Sequence, residues 1–281
     1  MLNVAKLGGS SGADMTSNGL KNAYFVASFP IQPSMIPDWS IALCFAFIAF
    51  VYASVGFGGG SGYLALLAVV GLPFQEIRLT ALFCNVIVVT GGTFLFFQNK
   101  QLQGRKILPL VAASIPAAFL GAKMRISEET FFLLLGISLV VAALLLWFQP
   151  KPLISATVEA PKPVRDGFLG GSIGLLSGMV GIGGGIFLSP LLHLLRWDTA
   201  RKIAATASVF ILVNSLSGLA GQLTQLPAEL NVSRILLLGA SVLLGGQLGS
   251  RISMARFDLL TIRRLTALLV FVAGVEVLIR H

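Results

Sequence analysis

The sequence has few charged side chains for its length. Of its 281 residues, 11% are charged and 56% are hydrophobic, whereas soluble domains carry about 25% charged residues. With a mean hydropathy of +0.89, the apolar residues are too many for the interior of one soluble domain of this size. The composition therefore excludes an ordinary soluble protein and predicts a membrane protein whose apolar side chains face lipid.

Residues that usually form catalytic or metal centres are also scarce. The chain has two His, two Cys and 11 Asp and Glu residues, and nearly all of the acidic residues lie between apolar runs. Cys44 and Cys84 lie inside apolar runs and form no CxxC or Cys/His metal pattern. These counts argue against an enzyme, and they predict neither a metal centre nor a bound cofactor.

The net charge of +9 has a simple explanation in a membrane protein. The Lys and Arg residues lie in short interruptions between apolar runs, where positive charge sets membrane orientation. A nucleic-acid partner is therefore not expected.

Apolar stretches of membrane length recur from residue 38 onward. They divide the chain into a loose N-terminal arm over 1–37, a first membrane repeat over 38–148, a Pro-rich linker over 149–166 and a second membrane repeat over 167–281. The predicted fold is an all-α integral membrane protein with about eight membrane segments. These are Ile41–Val55, Leu79–Phe97, Ile107–Ala122, Phe131–Phe148, Gly167–Val180, Ile203–Gln222, Ile235–Ser250 and Leu259–Ile279.

The two halves resemble each other. Val55–Leu67 and Val180–Leu192 align at an offset of 125, with seven identities in 13 positions, and each contains the pattern VGxGGG. Repeated halves with glycine interruptions at corresponding positions are typical of secondary transporters, which bind substrate where the halves meet.

The glycine runs admit three interpretations. A nucleotide-binding loop is rejected, because no strand precedes either run and no Lys-Ser/Thr pair follows it. Close helix packing through small residues remains an alternative. A break in the helix is favoured, because three successive glycines in a helix interior cost about 1 kcal/mol each relative to alanine.

Each break would begin a short half-helix, Ser61–Gly71 or Ile186–Leu195. Free amides and the positive end of the helix dipole would face the break, so two such ends can bind an oxyanion. Ser208 and Thr80 are weaker candidates, and His193 could carry a coupling proton or be only an interfacial residue. The predicted substrate-binding residues are Gly58, Gly59, Gly60, Ser61, Gly62, Asn85, Gly183, Gly184, Gly185, Ser189, Thr206 and Asn214.

The charge distribution favours a chain that turns back at each break. If the chain crossed straight through, Lys and Arg would divide as nine against ten, which prefers neither side. With a re-entrant hairpin at each break the division is six against 13, which places the 13 in the cytoplasm and both termini outside. The two repeats would then be inverted with respect to each other.

At these residues the sequence resembles the TauE/SafE family of membrane permeases, the sulfite exporter or 4-toluene sulfonate uptake group. The resemblance covers about 38–280 and rests on the duplicated VGxGGG, on the loop Trp197–Lys202 and on the helix starting Ala204-Ala-Thr-Ala-Ser. It implies export or uptake of sulfite, sulfoacetate, taurine-like sulfonates or related small anions. The long arm and the replacement of Ser61-Gly62 by Ile186-Phe187 in the second repeat depart from a symmetric pattern.

We therefore expect a multi-pass secondary transporter of the bacterial inner membrane, whose partners are a small anionic substrate and the lipid bilayer. A passive anion channel and a permease for a non-sulfur organic anion remain alternatives. The sequence leaves open the direction of transport, the coupling ion, including the proton, and whether the protein forms a homodimer.

Overall fold

A computed structural model describes residues 37–54, 56–149, 162–225, 230–253 and 259–280. The predicted arm lies outside the described residues except for Pro37, as does most of the predicted linker. Over the described ranges the chain is helical and contains no strand. The helices are α1 Asp38–Ser54, α2 Gly60–Val70, α3 Phe74–Gln98, α4 Gly104–Lys123, α5 Glu128–Trp147, α6 Pro163–Val180, α7 Gly185–Leu194, α8 Ala200–Gln222, α9 Val232–Ser253 and α10 Leu259–Arg280, with a 3₁₀ turn at Leu223–Gln225.

Five of these helices are long and apolar enough to cross a membrane, namely α3, α4, α5, α8 and α9. The apolar helix α1 is shorter, with 17 residues. The helices after the glycine runs, α2 and α7, have 11 and 10 residues, about half of what a crossing requires. Large apolar side chains such as Trp39 and Phe94, which are 64% and 62% exposed, give the bundle an outer surface suited to lipid.

The chain reverses direction at the first glycine run. The Arg234 guanidinium at the start of α9 lies 2.9 Å from Asp38 Oδ1 at the start of α1 and 3.5 Å from Glu76 Oε1 at the start of α3. These three helices therefore begin at the same end of the bundle, which we name the Asp38 end. Because α2 ends at Gly71, just before α3 begins, α1 leaves the Asp38 end and α2 returns to it.

The second glycine run has the same arrangement at the opposite end. Lys106 Nζ, in the first turn of α4, lies 3.0 Å from Asp198 Oδ2 in the loop before α8. Trp197 Nε1 in that loop donates to Asp166 Oδ2, in the first turn of α6, at 3.0 Å. We name this the Asp166 end. It lies opposite the Asp38 end, because α4 follows directly from the far end of the 25-residue α3.

The helix pairs that pack together correspond between the two halves. When α1–α5 are matched in order to α6–α10, α4 corresponds to α9 and α6 corresponds to α1. The packing of α4 on α6 therefore has its counterpart in the packing of α9 on α1. In the same way, the packing of α10 on α2 corresponds to that of α5 on α7. Two further packed pairs, α3 with α8 and α5 with α10, each join a helix to its own counterpart in the other half. The first hairpin, α1 with α2, and the second hairpin, α6 with α7, therefore each pack mainly against helices of the other half.

Glycine permits the closest of these helix contacts. A Cβ placed on Gly178 of α6 would overlap the Ala118 backbone of α4, and one on Gly245 of α9 would overlap the Ala46 backbone of α1. At both contacts the two helices approach more closely than a side chain would allow, as is usual where small residues lie between membrane helices.

Candidate functional site

The two glycine breaks have the same local geometry. Gly59, before α2, has φ +89, and Gly184, before α7, has φ +80. Both lie in the left-handed region, which glycine adopts without strain. Neither helix start is capped by a side chain. The first amides of α2 and α7 therefore lie at the positive ends of the two helix dipoles, without a capping side chain.

Asn85 joins the two breaks. Its side chain is fully buried in the middle of α3, and its Nδ2 donates to the Ile182 carbonyl of the second break at 3.1 Å. On the other side, a Cβ on Gly58 of the first break would lie 2.5 Å from Asn85 Oδ1, and one on Gly60 would overlap the Asn85 amide. Since Asn85 Oδ1 has no hydrogen-bond partner, the place where the breaks meet retains a free polar atom.

The second half places an apolar side chain at the corresponding point. Gly185 faces Ile211 of α8, just as Gly60 faces Asn85 of α3. The two glycines align at an offset of 125 and the two helix residues at an offset of 126. A Cβ on Gly183 would lie 2.8 Å from Asn85 Nδ2 and 3.1 Å from Ser215 Oγ. The polar side chains at the junction therefore come from Asn85 and from Ser215, whose hydroxyl has no partner.

Two predicted hydroxyl groups are engaged elsewhere, and one predicted amide has no partner. Ser61 Oγ lies 3.0 Å from the Tyr52 hydroxyl within the first hairpin. Thr206 Oγ1 donates to the Lys202 carbonyl one turn earlier in α8, at 2.8 Å, a local bond common for Thr in membrane helices. Asn214 is fully buried and neither of its amide atoms has a partner, so its polar group is unengaged within the described bundle.

The remaining predicted residues line the walls of the breaks or lie beyond them. A Cβ on Gly59 would meet the Tyr63 ring, one on Gly62 would meet Ile48, and one on Gly184 would meet Phe210. Ser189 is buried in α7, and His193 is half-buried near the end of that helix, by the Asp166 end.

A vestibule of about 400 Å³ opens at the Asp166 end between α1, α3, α8 and α9. It reaches Gly56 and Phe57 of the first break, and Ser208 Oγ at its wall donates to the Gly56 carbonyl at 3.1 Å. Its polar wall also includes Asn99, Gln101 and Arg201, which the sequence analysis did not select, because they lie at helix ends far along the chain from the glycine runs.

The corresponding space at the Asp38 end is smaller and contains Arg78. This cavity of about 250 Å³ is lined by Arg78, which neighbours Gly181 of the second break. Gly181 faces Arg78 there, as Gly56 faces Ala204 in the vestibule. Arg78 Nη2 donates to the Gly178 carbonyl at 3.0 Å and to the Ala122 carbonyl at 3.3 Å, so the guanidinium bridges α6 and α4. The sequence signal for this residue is that Arg78 aligns with an alanine, Ala204, at an offset of 126.

A polar cluster anchors the loop before α8 at the Asp166 end. The Asp198 carboxylate accepts from the Thr199 amide at 2.8 Å and from Lys106 at 3.0 Å, and Lys106 Nζ also lies 4.1 Å from the centre of the Trp197 ring. Burial by itself would raise the pKa of Asp198, but the Thr199 amide, Lys106 and Lys202 together hold that pKa below its usual value. The loop therefore carries an ionised carboxylate at neutral pH.

Comparison with known proteins agrees with this membrane architecture. The family model described as "Sulfite exporter TauE/SafE" matches residues 41–277. The chain belongs to this family. A probable membrane transporter protein of Sinorhizobium fredii is 32% identical over 241 residues, covering 85% of this chain and 97% of that protein. A probable membrane transporter protein of Haemophilus influenzae is 28% identical over 187 residues, covering 62% and 68% respectively. No solved structure matches the chain.

Membership of this family and the five helices able to span a bilayer make the chain a multi-pass membrane protein of a transporter family. Among the residues that the structure describes, no group of three His, Cys, Asp or Glu side chains could hold a metal ion.

Proposed function

We propose that the protein is a secondary transporter of a small sulfur-containing oxyanion or organosulfonate, which it binds where the starts of α2 and α7 meet at Asn85. The observation that carries this proposal is the position of the Asn85 amide, which contacts both breaks at once. Uncapped amides from two helix starts attract an anion without a buried cation, and the Asn85 amide adds a donor that can reorient.

The direction of the helices supports an inverted repeat. The first half begins at the Asp38 end and the second half at the Asp166 end, and each hairpin returns to the end from which it started. The Asp166 end is the one to which the re-entrant arrangement assigns 13 Lys and Arg residues. By the positive-inside rule this end faces the cytoplasm, so the vestibule that reaches Gly56 opens to the cytoplasm.

Inverted halves around a central site are the arrangement with which secondary transporters alternate between two open states. In the proposed cycle the anion enters one of the two spaces beside the breaks, binds at Asn85 and leaves through the other. An ion gradient or the substrate gradient supplies the energy, and His193 at the cytoplasmic end is the proposed proton carrier if a proton is coupled.

Glycine substitutions test the site in reconstituted liposomes. Gly184→Val should abolish uptake of labelled sulfite, taurine or sulfoacetate, because a branched residue cannot adopt the left-handed backbone before α7 without strain. Gly59→Val should have the same effect at the first break. Gly104→Ala is the matched control, because a Cβ there meets open space and φ is not positive.

Two results would contradict the proposal. Undiminished uptake by properly inserted Gly59→Val and Gly184→Val proteins would exclude the breaks as the binding site. Single-molecule current steps in planar bilayers would show a channel instead of a carrier. Saturable uptake of carboxylates but not of sulfur anions would change the substrate class while leaving the site in place.

A further inference from the structure

The cavity at the Asp38 end has features that the central junction does not require. It is formed where α3 begins and where α4 and α8 end, and it contains about 250 Å³. Its polar lining residues are Arg78, Gln75, Arg125 and Gln222. Two of them are cationic and none is acidic, so the cavity is complementary to an anion.

Arg78 is a buried cation without a counter-ion. The residue is 5% exposed, and its two hydrogen bonds run from Nη2 to neutral backbone carbonyls. Its Nε has no partner. Within the described ranges no carboxylate forms an ion pair with it, and the nearby Glu76 pairs with Arg234 instead. A buried charge that lacks an opposite charge is costly, and an anion in the cavity would remove that cost.

Gln222 provides an unpaired donor from α8, another of the helices that form the cavity. It is 7% exposed, and its Nε2 has no hydrogen-bond partner. Together with Arg78 Nε, the cavity thus has two buried N–H donors, contributed by α3 and α8, that nothing in the described structure satisfies. Buried donors of this kind normally have a partner. Arg125 is exposed and adds positive charge near the mouth.

From these observations we propose that the cavity at the Asp38 end is a second anion-binding subsite, in which Arg78 and Gln222 bind a small oxyanion bearing a sulfite, sulfonate or related head group. Arginine suits this role because its planar N–H groups match the geometry of oxyanions. The subsite rests on the proposed function only for the chemical class of the anion.

The counterpart in the other half explains why one subsite is expected and not two. Ala204 aligns with Arg78 at an offset of 126, and Ser250 aligns with Ala122 at an offset of 128. Arg78 and Ala122 line the cavity at the Asp38 end, and Ala204 and Ser250 line the vestibule. The vestibule at the Asp166 end therefore offers an open, wider space without a buried cation. An anion would be held at the Asp38 end and would pass freely at the Asp166 end.

Thermal unfolding of the purified full chain in detergent tests the subsite. The measurements use the Asn85→Leu background, in which the central junction is disabled, and titrate sodium sulfite or sodium sulfate against sodium chloride of equal ionic strength. One of the two oxyanions should raise the unfolding temperature in a saturable manner. Arg78→Gln should weaken the apparent affinity at least about tenfold, or about 1.4 kcal/mol, and Arg78→Lys should weaken it less.

Control variants keep the experiment decisive. Arg105→Gln, an exposed arginine at the opposite end, should leave the titration unchanged. If Arg78→Gln does not fold, Gln222→Leu should still weaken the affinity. The subsite is wrong if neither oxyanion gives a saturable shift in the Asn85→Leu protein, or if the shift is unaffected by Arg78→Gln or by Gln222→Leu.

These outcomes are separable from those of the transport experiment. Liposome uptake that depends on Gly59 and Gly184, combined with a shift independent of Arg78, would reject the subsite and leave the proposed function standing. An Arg78-dependent shift without uptake of any sulfur anion would reject the proposed function and leave the subsite.

Discussion

The two halves of the protein share their helix pairings but differ at three corresponding points. At the centre, Asn85 in the first half corresponds to Ile211 in the second. Beside the breaks, Arg78 corresponds to Ala204. At the ends of the bundle where the hairpins enter, Arg234 at the start of α9 pairs with Asp38, whereas Lys106 at the start of the corresponding helix α4 pairs with Asp198. The helix pairings are shared, and the differences in side chains give the two ends of the bundle different chemistry.

The two entrance ion pairs differ in burial, which allows a matched test. The Asp198 carboxylate is 3% exposed beside Lys106, which is 8% exposed, whereas the Asp38 side chain is 41% exposed. Asp198→Asn leaves the buried Lys106 ammonium without its carboxylate and should lower the free energy of unfolding by about 3 kcal/mol. Asp38→Asn should cost about 1 kcal/mol or less. Denaturation of both variants in mixed micelles measures the difference, and equal losses would contradict this comparison of the two ends.

The corresponding central residues Asn85 and Ile211 are tested by replacing each with leucine. Asn85→Leu removes the hydrogen bond to the Ile182 carbonyl, so it should lower the free energy of unfolding by about 1–3 kcal/mol and stop anion uptake. Ile211→Leu keeps the volume and should cost less than about 1.5 kcal/mol while retaining uptake. Unfolding and liposome uptake are measured on both proteins. Full uptake by Asn85→Leu would show that the centre does not depend on this amide.

The smallest expected effect is the pH dependence of the Asp166 end. Because the pKa of Asp198 is lowered in the folded protein from its ordinary value of 3.8, its contribution to stability is fully present above that value. The contribution is lost as the pH falls below 3.8 and through the folded pKa. The difference in unfolding temperature between the native protein and Asp198→Asn should therefore be constant from neutral pH to about pH 5 and shrink below pH 4. A difference that stays constant into this acid range would contradict the ionic role of Asp198.

Much of the local structure follows directly from the sequence. The long apolar stretches predict helices, because lipid requires every backbone group in a spanning segment to be paired within that segment. These predicted helices coincide with α1, α3–α6 and α8–α10. The glycine runs mark the interruptions before α2 and α7, since several adjacent glycines make a helix interior costly. Helix α6 begins at Pro163, within the predicted linker, because proline is well suited to the first turn.

The candidate site was only partly predictable. The position of Asn85 in the helix after a break predicts that it lies near the site, and its side chain contacts both breaks. The same reasoning predicts Thr206, yet its hydroxyl bonds to its own helix, which sequence spacing does not reveal. Arg78 was counted only as a charge near a helix end, because its burial depends on the ends of α4 and α6, which are distant in the chain.

The sequence by itself determined that this is a helical membrane protein with two glycine interruptions, because lipid constrains the composition of each segment separately. It also predicted that the two halves are related. Only the tertiary structure decided which residues meet: it brought the two breaks to one asparagine, paired each hairpin with the opposite half, and buried one arginine where the other half has an alanine. These outcomes depend on contacts between residues 44 to 196 positions apart in the chain, such as Arg78 with Ala122 and Asp38 with Arg234, and no local pattern encodes them.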